Sequence, residues 1–153
     1  MRREYFTLQV RGLDEGPDPV MPTLSILYEG PQQPLVDRFL HGGGPISATD
    51  IDVSYRLQAP LEDPDATGVL SLSNRITGEY LAEIDVTAEM MVSFLRAARQ
   101  YGQTVPDTAD RFRVNIDIDD GPSRTFESRI LLVYHEDGSL LRRHSLIPSG
   151  VEL

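Results

Sequence analysis

Every second side chain between Ile51 and Gln58 is apolar: Ile51, Val53, Tyr55 and Leu57 alternate with Asp52, Ser54, Arg56 and Gln58. Successive side chains of an extended strand point to opposite faces, so this segment buries one face and leaves the other wet. The same period runs through Phe6, Leu8 and Val10, through Leu24, Ile26 and Tyr28, and through Phe112, Val114, Ile116 and Ile118. Residues 68–86 read as two short strands around a turn near Thr77 and Gly78. Residues 124–135 and 139–147 flank Asp137-Gly138, a dipeptide that favours a two-residue hairpin turn, so the C-terminal third is predicted to be a β-meander.

One long stretch breaks the period of two. Met90, Met91, Phe94, Leu95, Ala98 and Tyr101 recur at spacings of three and four, Thr87 is placed to cap them, and Glu89 suits the positive end of a helix dipole. This predicts a helix over 87–101, ended by Gly102 and Pro106, with both methionines in the core. Leu35, Val36, Phe39 and Leu40 predict a second, short helix over 32–40, with Pro34 in its first turn where no N–H is needed. The expected order is β-β-α-β, β-β-α-β, β-β. An amphipathic helix must cover an apolar sheet face, so the expected fold class is α+β, a single domain over 1–153. Its sheet is expected to be mainly antiparallel, with about 7–8 strands in one sheet or in two packed sheets.

Composition then removes whole chemistries. The fourteen basic residues are all Arg, and a chain without Lys has no Schiff-base lysine and no phosphate-binding P-loop lysine. Without Cys it has no thiolate nucleophile, zinc ribbon, iron–sulfur ligation or disulfide. With 24 acidic residues the net charge is -10, which repels the phosphate backbone and makes nucleic acid an unlikely partner. Acidic excess without Lys points to a cytosol of concentrated salt, where a Debye length of about 3 Å makes crowded carboxylates cheap and hydrating. No Asn-x-Ser/Thr occurs, MRREYF has no apolar signal core and the apolar runs are short. The expectation is a cytoplasmic protein with no membrane partner.

The candidate sites are few. His41-Gly42-Gly43-Gly44 resembles the oxyanion-hole run of lipase-like hydrolases, but the G-x-S-x-G elbow is missing. Consecutive exposed N–H groups there suit a small-ligand or anion site at His41, Gly42, Gly43 and Gly44. Asp117, Asp119 and Asp120 suggest a calcium loop, yet counting from Asn115 puts Asp120 and Phe126 where Gly and Glu are required. The three histidines are His41, His135 and His144; the hairpin sets His135 opposite Leu140 and His144 opposite Leu131, about 13 Å apart, so no metal site is expected. No Ser sits in a nucleophile context, so no catalytic residue and no cofactor is assigned. Arg142, Arg143 and His144 make a basic interaction surface, although on a strand Arg142 and Arg143 point to opposite faces and pair with Glu127 or another local carboxylate.

Through MRREYFTLQVRG, IDVSYRLQ, SNRITGEY, FLRAARQYG, LLVYHEDG and LLRRHSLIPSGVEL the chain resembles a family of small, acidic, uncharacterised haloarchaeal proteins. The resemblance supports the salt-rich cytosol and carries no information about activity. The functional expectation is a non-catalytic intracellular interaction or accessory module, working with a protein partner or as a homo-oligomer through a strand edge or the basic C-terminal hairpin. The alternative is a small-ligand or anion-binding domain, or an enzyme, centred on His41–Gly44.

Overall fold

A computed structural model describes residues 3–13, 20–31, 40–41, 44–45, 47–105, 110–118 and 123–147, with the backbone alone at 40, 41, 44, 45 and 48. The strands are β1 (Phe6–Arg11), β2 (Thr23–Tyr28), β3 (Leu40–His41), β4 (Gly44–Pro45), β5 (Ile51–Leu57), β6 (Thr67–Asn74) and β7 (Tyr80–Thr87), then β8 (Phe112–Ile118), β9 (Ser123–Ser128) and β10 (Leu132–Tyr134). Helix α1 (Ala88–Thr104) follows β7 directly, and short 3-10 turns cover Arg3–Tyr5, Ala48–Asp50 and Arg142–His144. The class is α+β as expected.

Eight of the strands form two four-stranded sheets, β1-β2-β8-β9 and β10-β5-β6-β7. Both are mixed: antiparallel pairings predominate, as expected, but each sheet also contains one parallel pair. β2 pairs with β8 in parallel, Leu24 beside Val114 and Ile26 beside Ile116. β10 pairs with β5 in parallel, Val133 beside Tyr55. Parallel neighbours need a long crossover, and here β5, β6, β7 and α1 all lie between β2 and β8 in the chain. The buried residues of both sheets and of α1 make one apolar cluster, in which Phe94 of α1 meets Phe112 of β8 edge to face at 5.5 Å.

The alternating segments all became strands with the expected faces turned to the core, although Leu8 and Val10 of the edge strand β1 are only half-buried. Ile51, Val53, Tyr55 and Leu57 point inward, and so do Phe112, Val114, Ile116 and Ile118. Tyr55 does more than fill space. Its phenol passes over Gly68 of β6 and donates to the Val86 carbonyl of β7 at 2.8 Å, so one β5 side chain fastens all three strands.

Two local expectations for the main helix fail for identifiable reasons. The helix runs past Gly102 to Thr104, with Arg111 packed where the Cβ of Gly102 is missing, and ends at Val105 (φ -121°), a position that helical geometry disfavours because a proline follows it in the sequence. Thr87 does cap it, its side chain accepting from the Met90 N–H at 3.3 Å. That first-turn position turns Met90 outward, 40 % exposed, whereas Met91 is buried. The predicted helix over 32–40 lies outside the described residues, save that Leu40 belongs to β3.

The predicted meander is broken twice. β8 and β9 do form a hairpin, Val114 opposite Phe126, but β10 leaves for the other sheet. Arg129, Ile130 and Leu131 contain no turn residue that could fold the chain back beside β9. The loop after β10 is also one residue longer than a two-residue turn. The His135 N–H donates to Ser139, the Gly138 N–H donates to His135, and Gly138 alone has positive φ (89°). Asp137 instead accepts from both the N–H and the hydroxyl of Ser139. Tyr134 therefore faces Leu140 and Leu131 faces Leu146, displacing the expected partners of His135 and His144. Between those bridges the return arm is no strand: Arg142–His144 form a 3-10 turn, and the buried Ser145 hydroxyl takes the Val133 N–H at 2.8 Å. No helix among the described residues is long and apolar enough to cross a membrane.

Candidate functional site: an arginine-lined groove

The 3-10 turn removes the argument that separated Arg142 from Arg143, since the strict two-face alternation of a strand no longer applies. Nor does either residue take Glu127, which pairs with Arg113 across the β8–β9 ladder at 3.0 Å. The turn is held against α1. Arg99 donates from Nη2 to the carbonyls of Arg143 (3.0 Å) and Ser145 (3.4 Å).

This contact creates two adjoining hollows. On α1, Val92, Arg96, Arg99, Gln100 and Gln103 recur at helical spacing on a side turned away from the buried Met91, Phe94 and Ala98, and with His144 they line a hollow of about 410 Å³. A second, of about 290 Å³, shares Arg99 and Gln103 with the first and adds Arg111, Arg129 and the Ser145–Ile147 segment. Arg111 reaches it because its side chain lies flat against Gly102, where a Cβ would collide with its guanidinium end. Among the described lining residues four are Arg, one is His and none is Asp or Glu. In a chain of net charge -10 this is a marked local reversal.

The electrostatics agree with the geometry. Burial lowers the Arg99 pKa from its ordinary value, which two carbonyl acceptors offset in keeping the guanidinium in place. Burial also holds His144 below the ordinary histidine range, and the positive charges of Arg99, Arg143 and His135 push it the same way. A positive field that discourages one more proton attracts an anion. Arginine forks fit carboxylate or phosphate bidentately, and the amides of Gln100 and Gln103 can both donate and accept.

Of the predicted Arg142, Arg143 and His144 only His144 lines the hollows, and sequence reasoning missed Arg96, Arg99, Arg111 and Arg129. One signal was legible: residues 90–105 contain two Arg and no acid in a chain with 24 acidic residues. The other candidate is only partly described. His41 pairs with Gly44 and Leu40 with Pro45 in a two-residue antiparallel ladder, and Gly42 and Gly43 lie outside the described residues. On β8 the Asn115 amide is engaged by Asp117 and by the Thr125 hydroxyl, and Asp119 and Asp120 are likewise outside. Among the described residues no three His, Asp or Glu side chains converge as a metal ion would require.

Fold and groove together define an α+β chain with two mixed sheets and one cationic furrow. Over residues 1–153 it matches, and belongs to, the family of unknown function DUF5793. No curated protein and no solved structure matches it.

Proposed function

We propose that the chain is a non-catalytic interaction module whose arginine groove receives an acidic segment of a partner protein. The observation that carries this reading is the pair of contiguous hollows lined by Arg96, Arg99, Arg111, Arg129 and His144 without a carboxylate. The occupant follows from shape and charge. The hollows adjoin along the helix rather than converging on one point, which suits a chain of carboxylates better than a single phosphate. A nucleic acid would bring a continuous row of charges against the remaining acidic surface, whereas a short acidic peptide touches the groove alone. Gln100 and Gln103 can meet its backbone amides.

The test is fluorescence anisotropy with a labelled hexaglutamate peptide, a labelled oligothymidylate and inorganic phosphate as competitor. The peptide is expected to bind, more weakly as salt is raised, and to lose about tenfold or more in affinity in the Arg96→Gln/Arg129→Gln double variant. Tighter binding of the oligonucleotide, or peptide binding indifferent to both substitutions, would refute the assignment.

A further inference from the structure

Three polar side chains among the described residues are buried to nine-tenths or more: Asn74, Ser145 and Ser71. The Asn74 carbonyl oxygen accepts from the N–H groups of Ile76 (2.9 Å) and Thr77 (3.2 Å). The Ser145 hydroxyl donates to Leu141 and accepts from Val133, both at 2.8 Å. Ser71 alone has no hydrogen-bond partner among the described residues. Its oxygen is not sealed off, since no enclosed side-chain polar atom among the described residues lacks a partner, so the hydroxyl is open to bond with whatever reaches it from solvent.

Ser71 sits in the middle of β6 on the face opposite the apolar cluster. The ladder puts Ser54 of β5 on one side of it and Glu83 of β7 on the other. In the next row Arg56 of β5 stands between Tyr134 of β10 and Val69 of β6. Arg56 is steadied by its Nη2, which donates to the Glu136 carbonyl at 2.9 Å. These residues and Tyr80 surround an open basin of about 740 Å³, within the size range of small-molecule sites, and Ser71 opens into it.

We propose that this basin binds a saccharide. Its lining carries charges of both signs, so Glu83 and Glu136 oppose a simple anion while Arg56 opposes a simple cation. A sugar hydroxyl donates and accepts at once. It can therefore serve the acceptor-only Glu83, the donor-only Arg56 and the two serine hydroxyls together, a match that neither kind of ion offers. The rings of Tyr80 and Tyr134 offer apolar faces to the C–H face of a pyranose with polar tips left toward water. The basin lies on the second sheet, lined by none of the residues of the arginine groove, so the two readings stand or fall separately.

The experiment is an amide NMR titration of the full chain with maltose and with the methyl glycosides of glucose, galactose and mannose, alongside inorganic phosphate and putrescine. At least one sugar is expected to shift the Ser54, Ser71, Glu83 and Tyr134 amides saturably. Ser71→Ala and Glu83→Gln are each expected to weaken that binding about 5- to 10-fold, as loss of one hydrogen bond does. Ser71→Ala is expected to leave the folding midpoint unchanged, whereas a purely structural serine would lower it; should that variant fold poorly, Glu83→Gln carries the test. No saturable shift with any sugar, an affinity unchanged by Glu83→Gln, or tighter occupation by phosphate or putrescine would overturn the proposal.

Discussion

Gly68 and Gly102 use the same absence for different ends. At each, the missing Cβ lets a long side chain from another element lie flat against the backbone: Tyr55 over Gly68 in β6, Arg111 over Gly102 in α1. The first contact is closed on every side, because a Cβ on Gly68 would also lie 2.6 Å from the Arg56 carbonyl oxygen, a backbone atom that cannot swing away. At the second, the neighbours belong to the far end of a flexible arginine, which can move aside. One glycine therefore protects stability and the other places a charge in the groove.

The sharpest way to break this contrast is Gly68→Ala. Overpacking against Tyr55 and backbone is expected to cost about 2–3 kcal/mol in denaturant unfolding, and a cost under about 1 kcal/mol would mean that the seam is looser than its geometry. Next in size, Tyr55→Phe removes the bond to Val86 and is expected to cost about 1–2 kcal/mol. Burial raises the Tyr55 pKa above its ordinary 10.0. The folded state thus holds a proton that the unfolded state releases, and stability should fall as pH rises above about 10 in the parent with a shallower fall in the phenylalanine variant.

Gly102→Ala should do the reverse of Gly68→Ala. The gain in helix propensity of roughly 1 kcal/mol offsets the displacement of Arg111, so stability should stay within about 1 kcal/mol while hexaglutamate binding falls severalfold in the anisotropy assay. The smallest effect belongs to His144. Its pKa is lowered in the folded state, first by burial and then by Arg99, Arg143 and His135, so its contribution to stability is present above 6.5 and fades as pH falls below that value. His144→Gln should flatten this part of the pH–stability curve. In the parent, acidic-peptide affinity should rise over the same descent, because protonation adds a positive charge to the groove.

The parts of this molecule that were legible in its sequence are those governed by neighbours in the chain. Alternation at Ile51–Leu57 or Phe112–Ile118 reports burial of one face whatever the partner strand is. The Thr87 cap needs only the next three residues. Met90 misled because helical spacing marks a broad apolar stripe without fixing its rim, and the core stops at Met91. Asp137-Gly138 misled because the Asp137 carboxylate found Ser139, which favours the longer loop.

Of the cluster Arg142, Arg143 and His144 that stood out in sequence only His144 lines the groove, while Arg111 and Arg129 were isolated residues whose meaning depends on where α1 ends. Ser71 was equally silent, one hydroxyl on the wet side of a strand. By itself the sequence determined the α+β class, the inward faces of the strands, the capped start of the helix and the exclusion of amine and thiol chemistry, because each follows from side-chain identity and short-range periodicity. Tertiary structure alone decided that both sheets are mixed, that β10 crosses to β5, that Arg99 ties the 142–144 turn to the helix and that Ser71 opens into the basin. Those outcomes depend on which distant segments share one apolar core, and chain-local pattern carries no record of that choice.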